Sequence, residues 1–253
     1  MPHLRQVHIS RNMAILLKEY RVMEYTDLTT IHRTIINCCE CPRLVEWRQS
    51  VAIHKVRRFR EDHYWGRPLP GFGDPHASIV VIGLAPAAHG GNRTGRMFTG
   101  DDSANWLMEA LYQSGFANQN TSEHKEDGLI LHNVYITAAV RCAPPQNKPT
   151  HEEATNCFHF LLNELDLIQP RVVVVLGRFA YDAIRHYLRL HGIKPHSSAH
   201  FAHGVQETWN LESRLLTVLI SYHPSRQNTQ TKKLTRPMFL QVFQAAHEIL
   251  DMQ

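Results

Sequence analysis

The chain has 253 residues, 43% of them hydrophobic, enough to bury a full core in one large domain, with or without appendages, and to exclude a disordered chain. Its formal charge of +4 is mild and permits a polyanionic partner without requiring one, and 18 histidines add positive charge as pH falls. No apolar run approaches the roughly 18 residues of a membrane span and the N-terminus lacks the blocks of a secretory signal. The sequence therefore reads as cytoplasmic, with its five cysteines as metal ligands, buried residues or reactive thiols rather than disulfides.

Residues 1–37 carry apolar side chains at mixed three- and four-residue spacings, among them Met13, Leu16, Tyr20, Ile31 and Ile35, and form a helical extension ahead of a single domain over residues 38–253. Cys38 and Cys41 follow in a C-x-x-C spacing, which lets two thiolates reach one metal from a single turn. Residues 62–77, rich in Gly, Pro and aromatics, are a loop leading to a first buried strand at residues 79–82. Residues 83–101, GLAPAAHGGNRTGRMFTGD, continue from that strand and combine glycines, arginines, an aromatic and a carboxylate.

A helix over residues 102–115 presents Trp106, Leu107, Ala110 and Leu111 on one face. A second strand at residues 134–140 runs into RCAPPQNKP, and Thr150 with Glu153 has the spacing of a capping box that starts a helix containing Cys157. A third strand at residues 171–177 precedes a helix over 178–191, and a His-rich loop spans 195–204. A fourth strand at residues 215–221 ends in YHPSRQN, and a helix over 235–250 follows. Strands alternating with helices predict an α/β fold with a parallel sheet and helices on both faces. Three of four strand ends carry unusual polar sequence, which places the functional site on the carboxyl edge of the sheet.

Asp101, Asn147 and His223, one from each strand-end segment, are the candidate catalytic groups. A carboxylate orients water or faces a developing cation, whereas Asn and His donate hydrogen bonds to an anionic leaving group. Each has a structural alternative: Asp101 as a helix cap, Asn147 in a turn, His223 as a polar residue before Pro224. Phe98 either packs in the core or offers its face to a planar ligand. Arg93, Arg96, Arg141 and Arg226 flank the same edge and suit phosphate. Cys38, Cys41, Cys142 and Cys157 are a full set of four thiolates for either zinc or an iron-sulfur cluster, with Cys39 left over. Neither a phosphate-binding P-loop nor a convincing dinucleotide fingerprint is present.

GLAPAAHGGNRTGRMFTGD, VRCAPPQNKPT and SYHPSRQNTQT, together with the C-x-x-C-PRLVEWR and RPLPGFGDP segments, closely resemble the motifs of the family 5, or type B, uracil-DNA glycosylases. The resemblance runs from Cys38 to the C-terminus. It implies a uracil-DNA glycosylase-like three-layer α/β/α fold with a central four-stranded parallel sheet, and a structural 4Fe-4S cluster on Cys38, Cys41, Cys142 and Cys157. The implied activity is base-excision repair: a monofunctional hydrolase flips uracil, and also hypoxanthine, xanthine or ethenocytosine, out of DNA and cuts the N-glycosidic bond.

In that reading Gly83, Ala85 and Phe98 bind the base, with Phe98 stacking on it, and His223 stabilises the departing anion. Asp101 positions water or the sugar cation, and Asn147 contacts base or water. Arg93, Arg96, Ser225, Arg226 and Gln227 contact DNA, with Arg226 or Gln227 helping to fill the gap left by the flipped base. The implied partner is double-stranded DNA, with single-stranded DNA left open, for a nucleoid-associated protein; with no heptad or self-pairing segment in the sequence, a monomer is expected. The type A relatives typically carry an acidic residue near the start of the first motif, where this chain has Leu84 and Ala85. A non-catalytic lesion-binding module on the same fold is the competing reading.

Overall fold

The computed structural model describes residues 25–194, 200–211 and 214–252. Residues 1–24, with most of the expected helical extension, and residues 195–199 of the His-rich loop lie outside that description. Helix α1, Leu28–Ile36, starts on the Asp27 side chain, which accepts from the Thr30 amide, and α2, Pro42–Ile53, starts on Cys41. A short 3-10 turn, Arg57–Phe59, leads towards β1, Phe72–Gly73, and β2, Ile79–Gly83. After them come α3, Gly91–Thr94, α4, Asp102–Gln113, and β3, Val134–Ala138. A 3-10 turn, Pro145–Asn147, precedes α5, His151–Ile168, which leads to β4, Val172–Leu176, and α6, Arg178–Leu190. The chain continues through β5, Gln206–Leu211, β6, Arg214–Ser221, α7, Arg226–Gln230, and α8, Arg236–Asp251.

The sheet has six strands in the order β1-β3-β2-β4-β6-β5, which corrects the expected count of four. The four expected strands are its parallel centre, with Val80 opposite both Tyr135 and Val173, and Val174 opposite Leu219. Two antiparallel strands complete the edges, β1 against β3 and β5 against β6. Two-residue β1 is too short to show any periodicity, and β5 is a half-exposed edge strand rather than a continuous apolar run.

The central strands are buried on both faces because side chains alternate and helices cover each side. Ile79, Val81, Val172 and Val174 pack with Leu107 and Leu111 of α4 and with Phe239 and Phe243 of α8. Val80, Ile82, Val173 and Val175 face the opposite way, onto Leu161 and Leu165 of α5 and Ile184 and Leu188 of α6. A third cluster joins Ile31 and Ile35 of α1 to Leu44, Val140, Cys142, Cys157 and Phe160, so α1 is built into the core. Helix α5 carries the expected capping box, with the Thr150 hydroxyl on the Glu153 amide and the Glu153 carboxylate on the Thr150 amide. Among the described residues, no helix is long and apolar enough to cross a membrane.

Candidate active site

Parallel pairing sends the ends of β2, β3, β4 and β6 to one edge, and the three polar segments leave from there. The ladder runs two residues past the named strands: the Ala139 amide donates to Gly83 O and the Val140 amide to Leu84 O, at 3.0 and 2.9 Å. The first and second segments therefore leave the sheet side by side.

Phe98 sits in the first segment with φ of 45°, a left-handed conformation that an aromatic residue rarely adopts. Its ring lies over Gly83, where a Cβ would stand 2.8 Å from two ring carbons. The same ring is nearly parallel to His223, with centroids 6.2 Å apart and 29° between the planes. Gly177, just beyond β4, has φ of +96°, and a Cβ there would lie 3.3 Å from the His223 Cβ. Glycines on two strand ends thus leave room for the Phe98 and His223 pair. Burial pushes the His223 imidazole down to about 4, so it is neutral at physiological pH and offers one N–H and one lone pair.

Asp101 caps α4, its Oδ1 accepting from the Ala104 amide at 2.9 Å. The structural alternative therefore holds for this residue, yet capping occupies only one oxygen. The other, Oδ2, lies 2.0 Å from where a Cβ on Gly90 would be, so only glycine fits beside it. Burial raises the Asp101 carboxyl above its ordinary range, opposed by the Ala104 and Ser103 amides and, more weakly, by Arg93. Asp101 and His223 shift in opposite directions for one reason: a dry site disfavours the charged form of each.

The third segment is fastened to the first. The carbonyl of His223 accepts from the Ser225 amide at 2.8 Å and from Asn228 Nδ2 at 2.9 Å, and the Ser225 hydroxyl accepts from the Asn228 amide as the cap of α7. The Ser103 hydroxyl in α4 donates to Pro224 O at 3.1 Å, and exposed Arg226 pairs with exposed Asp102 at 2.5 Å. Gln227 is exposed on the first turn of α7. Gly90, Gly177 and Asn228 escape the sequence reading, since a glycine's need for space or an amide's carbonyl partner is a property of the assembled edge.

Asn147 is exposed at the end of a 3-10 turn, with φ of 56° after Gln146 at 54°. Its amide donates to Pro144 O at 3.1 Å, and its side chain has no hydrogen-bond partner among the described residues. The structure joins Phe98 to His223 and leaves Asn147 standing on its own turn. Ala85 packs against the cluster that contains Cys142 and Cys157.

The arginines need correction. Arg141 is 1% exposed and turns into the core, where its guanidinium meets the buried Glu164 carboxylate at 2.6 Å. Thr137 and Tyr135 also donate to Glu164, and Tyr135 bonds His32 of α1 at 2.8 Å. Arg96 is likewise buried, paired with Asp127 at 2.7 Å and bonded to Thr99 and Ser122. Burial works to raise the Asp127 carboxyl, but Arg96 and two backbone amides outweigh it and hold Asp127 at about 2. Arg93 is turned inward to Asp62, His89 O and Gly100 O. These three guanidiniums brace loops, and the expected phosphate role does not fit Arg93, Arg96 or Arg141.

Cys142 and Cys157 are buried, and Cys38 and Cys41 are half-buried against the same cluster, while Cys39 is exposed with its sulfur beside Arg48. The Arg141 amide points at Cys157 Sγ at 3.4 Å, and Asn156 Nδ2 at Cys41 Sγ at 3.7 Å, the kind of donors that support thiolates. Burial pushes the Cys157 thiol up to about 12, with Cys38 and Cys41 adding to the shift, and burial raises Cys142 as well, with Cys157 adding most among its neighbours. Four sulfurs that raise one another's ionisation cost are a donor set suited to a shared cationic centre. Among the described residues, no group of three or more His, Cys, Asp or Glu side chains stands close enough to hold a metal ion as arranged here. The donor chemistry fits four-thiolate ligation, and the side chains would have to close in to provide it.

A parallel core whose carboxyl edge gathers a partly buried carboxylate, a neutral imidazole and a strained aromatic defines a class. The family model described as the uracil DNA glycosylase superfamily matches residues 70–247, and the chain belongs to that superfamily. Within it, the chain is 48% identical over 225 residues to a type-5 uracil-DNA glycosylase of Thermus thermophilus, covering 88% of this chain and 98% of that one. It is 46% identical over 212 residues to a type-5 uracil-DNA glycosylase of Pyrobaculum aerophilum, covering 84% and 88% of the two chains. With a type-5 uracil-DNA glycosylase of Mycobacterium leprae the identity is 44% over 225 residues, covering 88% and 96%. The chain belongs to the type-5 uracil-DNA glycosylases.

Proposed function

We propose that this chain removes uracil from DNA by hydrolysing its N-glycosidic bond and leaves an abasic site without cutting the strand. The observation that carries the reading is the Gly83, Phe98 and His223 stack on the edge that also holds Asp101 beneath Gly90. A target base buried in a duplex must be flipped out, at a cost of about a few kcal/mol that is lowest in a mismatch, so a U·G pair is a favourable substrate. The flipped base stacks on Phe98. As the C1′–N bond breaks, its electron pair leaves with the base and the sugar becomes cationic. The neutral His223 donates a hydrogen bond to the departing anion without first losing a proton to solvent.

Asp101 has one oxygen fixed by the Ala104 amide and the other available to hold water against the sugar, accept its proton as the C1′–O bond forms, and face the developing cation. Asn147, exposed on its turn, contacts base or water once DNA is seated. Thr137 is committed to Glu164 inside the core, and Ala138 and Ala139 next to it carry no polar reader. This supports a permissive pocket that also accepts hypoxanthine, xanthine or ethenocytosine. Ser225, Arg226 and Gln227 lie where the third segment meets the DNA. The working form is a monomer on double-stranded DNA.

Cys38, Cys41, Cys142 and Cys157 would hold a 4Fe-4S cluster, as the shared burial and the donors on Cys41 and Cys157 support. When bound, the cluster supplies a structural cross-link between the N-terminal segment and the start of α5. Visible absorbance of protein purified without oxygen, lost in Cys142→Ala, tests it; a colourless native protein containing zinc would contradict it.

The test of activity is a labelled duplex carrying one U·G, hypoxanthine·T or normal pair, treated with alkali after incubation. Alkali-dependent cleavage at uracil and hypoxanthine, and none at the normal pair, is expected. Cleavage at uracil alone removes the broad range, and binding without cleavage moves the function to lesion recognition.

A further inference from the structure

With Arg93, Arg96 and Arg141 committed to inward contacts, three of the four arginines expected to hold the DNA backbone are turned away from it, and Arg226 is left. A different segment offers further cations. Residues 54–62 read HKVRRFRED, with Lys55, Arg57, Arg58 and Arg60 within six positions. A run of cations on a surface is ordinarily a solvated face. Three features set this one apart.

First, the turn is bolted to the loop that ends at Asp101. The Arg93 guanidinium stacks 3.9 Å above the Phe59 ring, pairs with Asp62 at 2.6 Å and donates to Gly100 O at 3.1 Å, one residue before Asp101. The Trp65 and Gly66 amides continue the seam to Arg93 O and Asn92 O. Second, Arg57 and Arg58 are exposed and uncommitted. The nearby carboxylates are taken, Glu61 by Arg60 and Asp62 by Arg93, and among the described residues neither Arg57 nor Arg58 has an acidic partner. Arg58 rests on Phe59 at 4.8 Å, which limits the freedom it would lose on binding. Third, a hollow of about 250 Å³ opens where Asp62 and Arg93 face His124 and Lys125, and Lys125 lies over the Trp65 ring at 5.5 Å. The cation this hollow adds to Arg57 and Arg58 is Lys125, exposed beside Glu126 at 3.7 Å.

We propose that Arg57 and Arg58 form a clamp for the phosphates of duplex DNA, seated on the Arg93 brace beside the catalytic edge. The proposal rests on the glycosylase reading for its ligand, since DNA is what that reading brings to the edge.

The test measures binding of the full chain to a labelled duplex across a series of salt concentrations. Each neutralised phosphate contributes about 0.9 to the slope of log affinity against log salt, so Arg57→Ala/Arg58→Ala is expected to flatten it by about 1.8. Arg57→Lys/Arg58→Lys, which keeps both charges, is expected to restore the parent slope. On a U·G duplex the loss falls on the enzyme concentration needed for half-maximal excision. An unchanged slope in the alanine variant, or a lysine variant as flat as the alanine one, would overturn the clamp. A parent that binds with the full slope but releases no uracil would refute the glycosylase reading and leave the clamp standing.

Discussion

The half of the edge that carries Asp101, Phe98 and His223 is held from its flanks, while the half that carries Asn147 is held from below. In the first, glycines at 83, 90 and 177 let side chains and backbone close together, and Ser103, Ser225 and Asn228 hydrogen bonds fix the loop of the third segment. In the second, the turn reaching Asn147 is exposed; it follows Arg141, paired with Glu164 in the core, and Cys142 of the cysteine cluster, and Arg43 donates to the Lys148 carbonyl at 3.2 Å just past it. In the proposed reaction, the groups assigned to bond cleavage are thus braced by neighbouring contacts, whereas Asn147, assigned to base or water, stands on an exposed turn that follows the buried Arg141 arm.

Removing the root of that arm has the largest expected effect on the fold. Glu164→Ala leaves the Arg141 charge buried without its partner, which costs about 3–5 kcal/mol; urea unfolding measures it, and a loss below about 1 kcal/mol would show that the pair does not hold the arm. On the braced half, His223→Ala is expected to slow single-turnover excision at saturating enzyme by about 10²–10³-fold, the usual loss for one donor to a developing anion. Gly90→Ala sharpens the contrast. Its Cβ would occupy the place of Asp101 Oδ2, and a misplacement of about 1 Å costs up to about 10²-fold in rate. Gly115→Ala, where a Cβ meets nothing within 4 Å and the strain of a φ of +77° lies outside the candidate site, is expected to leave the rate unchanged. The smallest effect belongs to the Arg226 and Asp102 pair, both exposed: Asp102→Asn is expected to leave thermal stability unchanged within error, because solvent screens the pair.

Much of the fold was legible because the central strands are continuous apolar runs, such as Val172 to Val175, bounded by Gly or polar residues. The edges were not. Residues 206–211 alternate in burial, but Gln206, Glu207 and Asn210 dilute the apolar signal, and a two-residue strand has no pattern to read. In the candidate site, residue type and position after a buried strand singled out Asp101 and His223 as proposed catalytic groups, and the structure adds that Asp101 also caps α4. Residue type misled on the arginines, because whether a guanidinium faces water depends on a distant carboxylate: Glu164 lies on α5, 23 residues after Arg141. The cysteine spacing suggested a shared centre, but the described cysteines do not close into a group able to hold a metal as arranged here, and the value of Gly90 depends on a contact with Asp101 that only the folded loop creates.

The central claim is that Asp101 acts as a carboxylate beside a neutral His223, and the pH dependence of single-turnover uracil excision tests it most directly. Asp101 is raised, so it takes up its proton, and the rate is lost, as pH falls through a value above the ordinary carboxylate range. His223 is depressed and stays neutral down to about 4. The account predicts one acidic limb that belongs to Asp101: it disappears, with most of the rate, in Asp101→Asn and persists in the residual activity of His223→Ala. An acidic limb centred near the ordinary histidine value of about 6.5 and abolished by His223→Ala would contradict it.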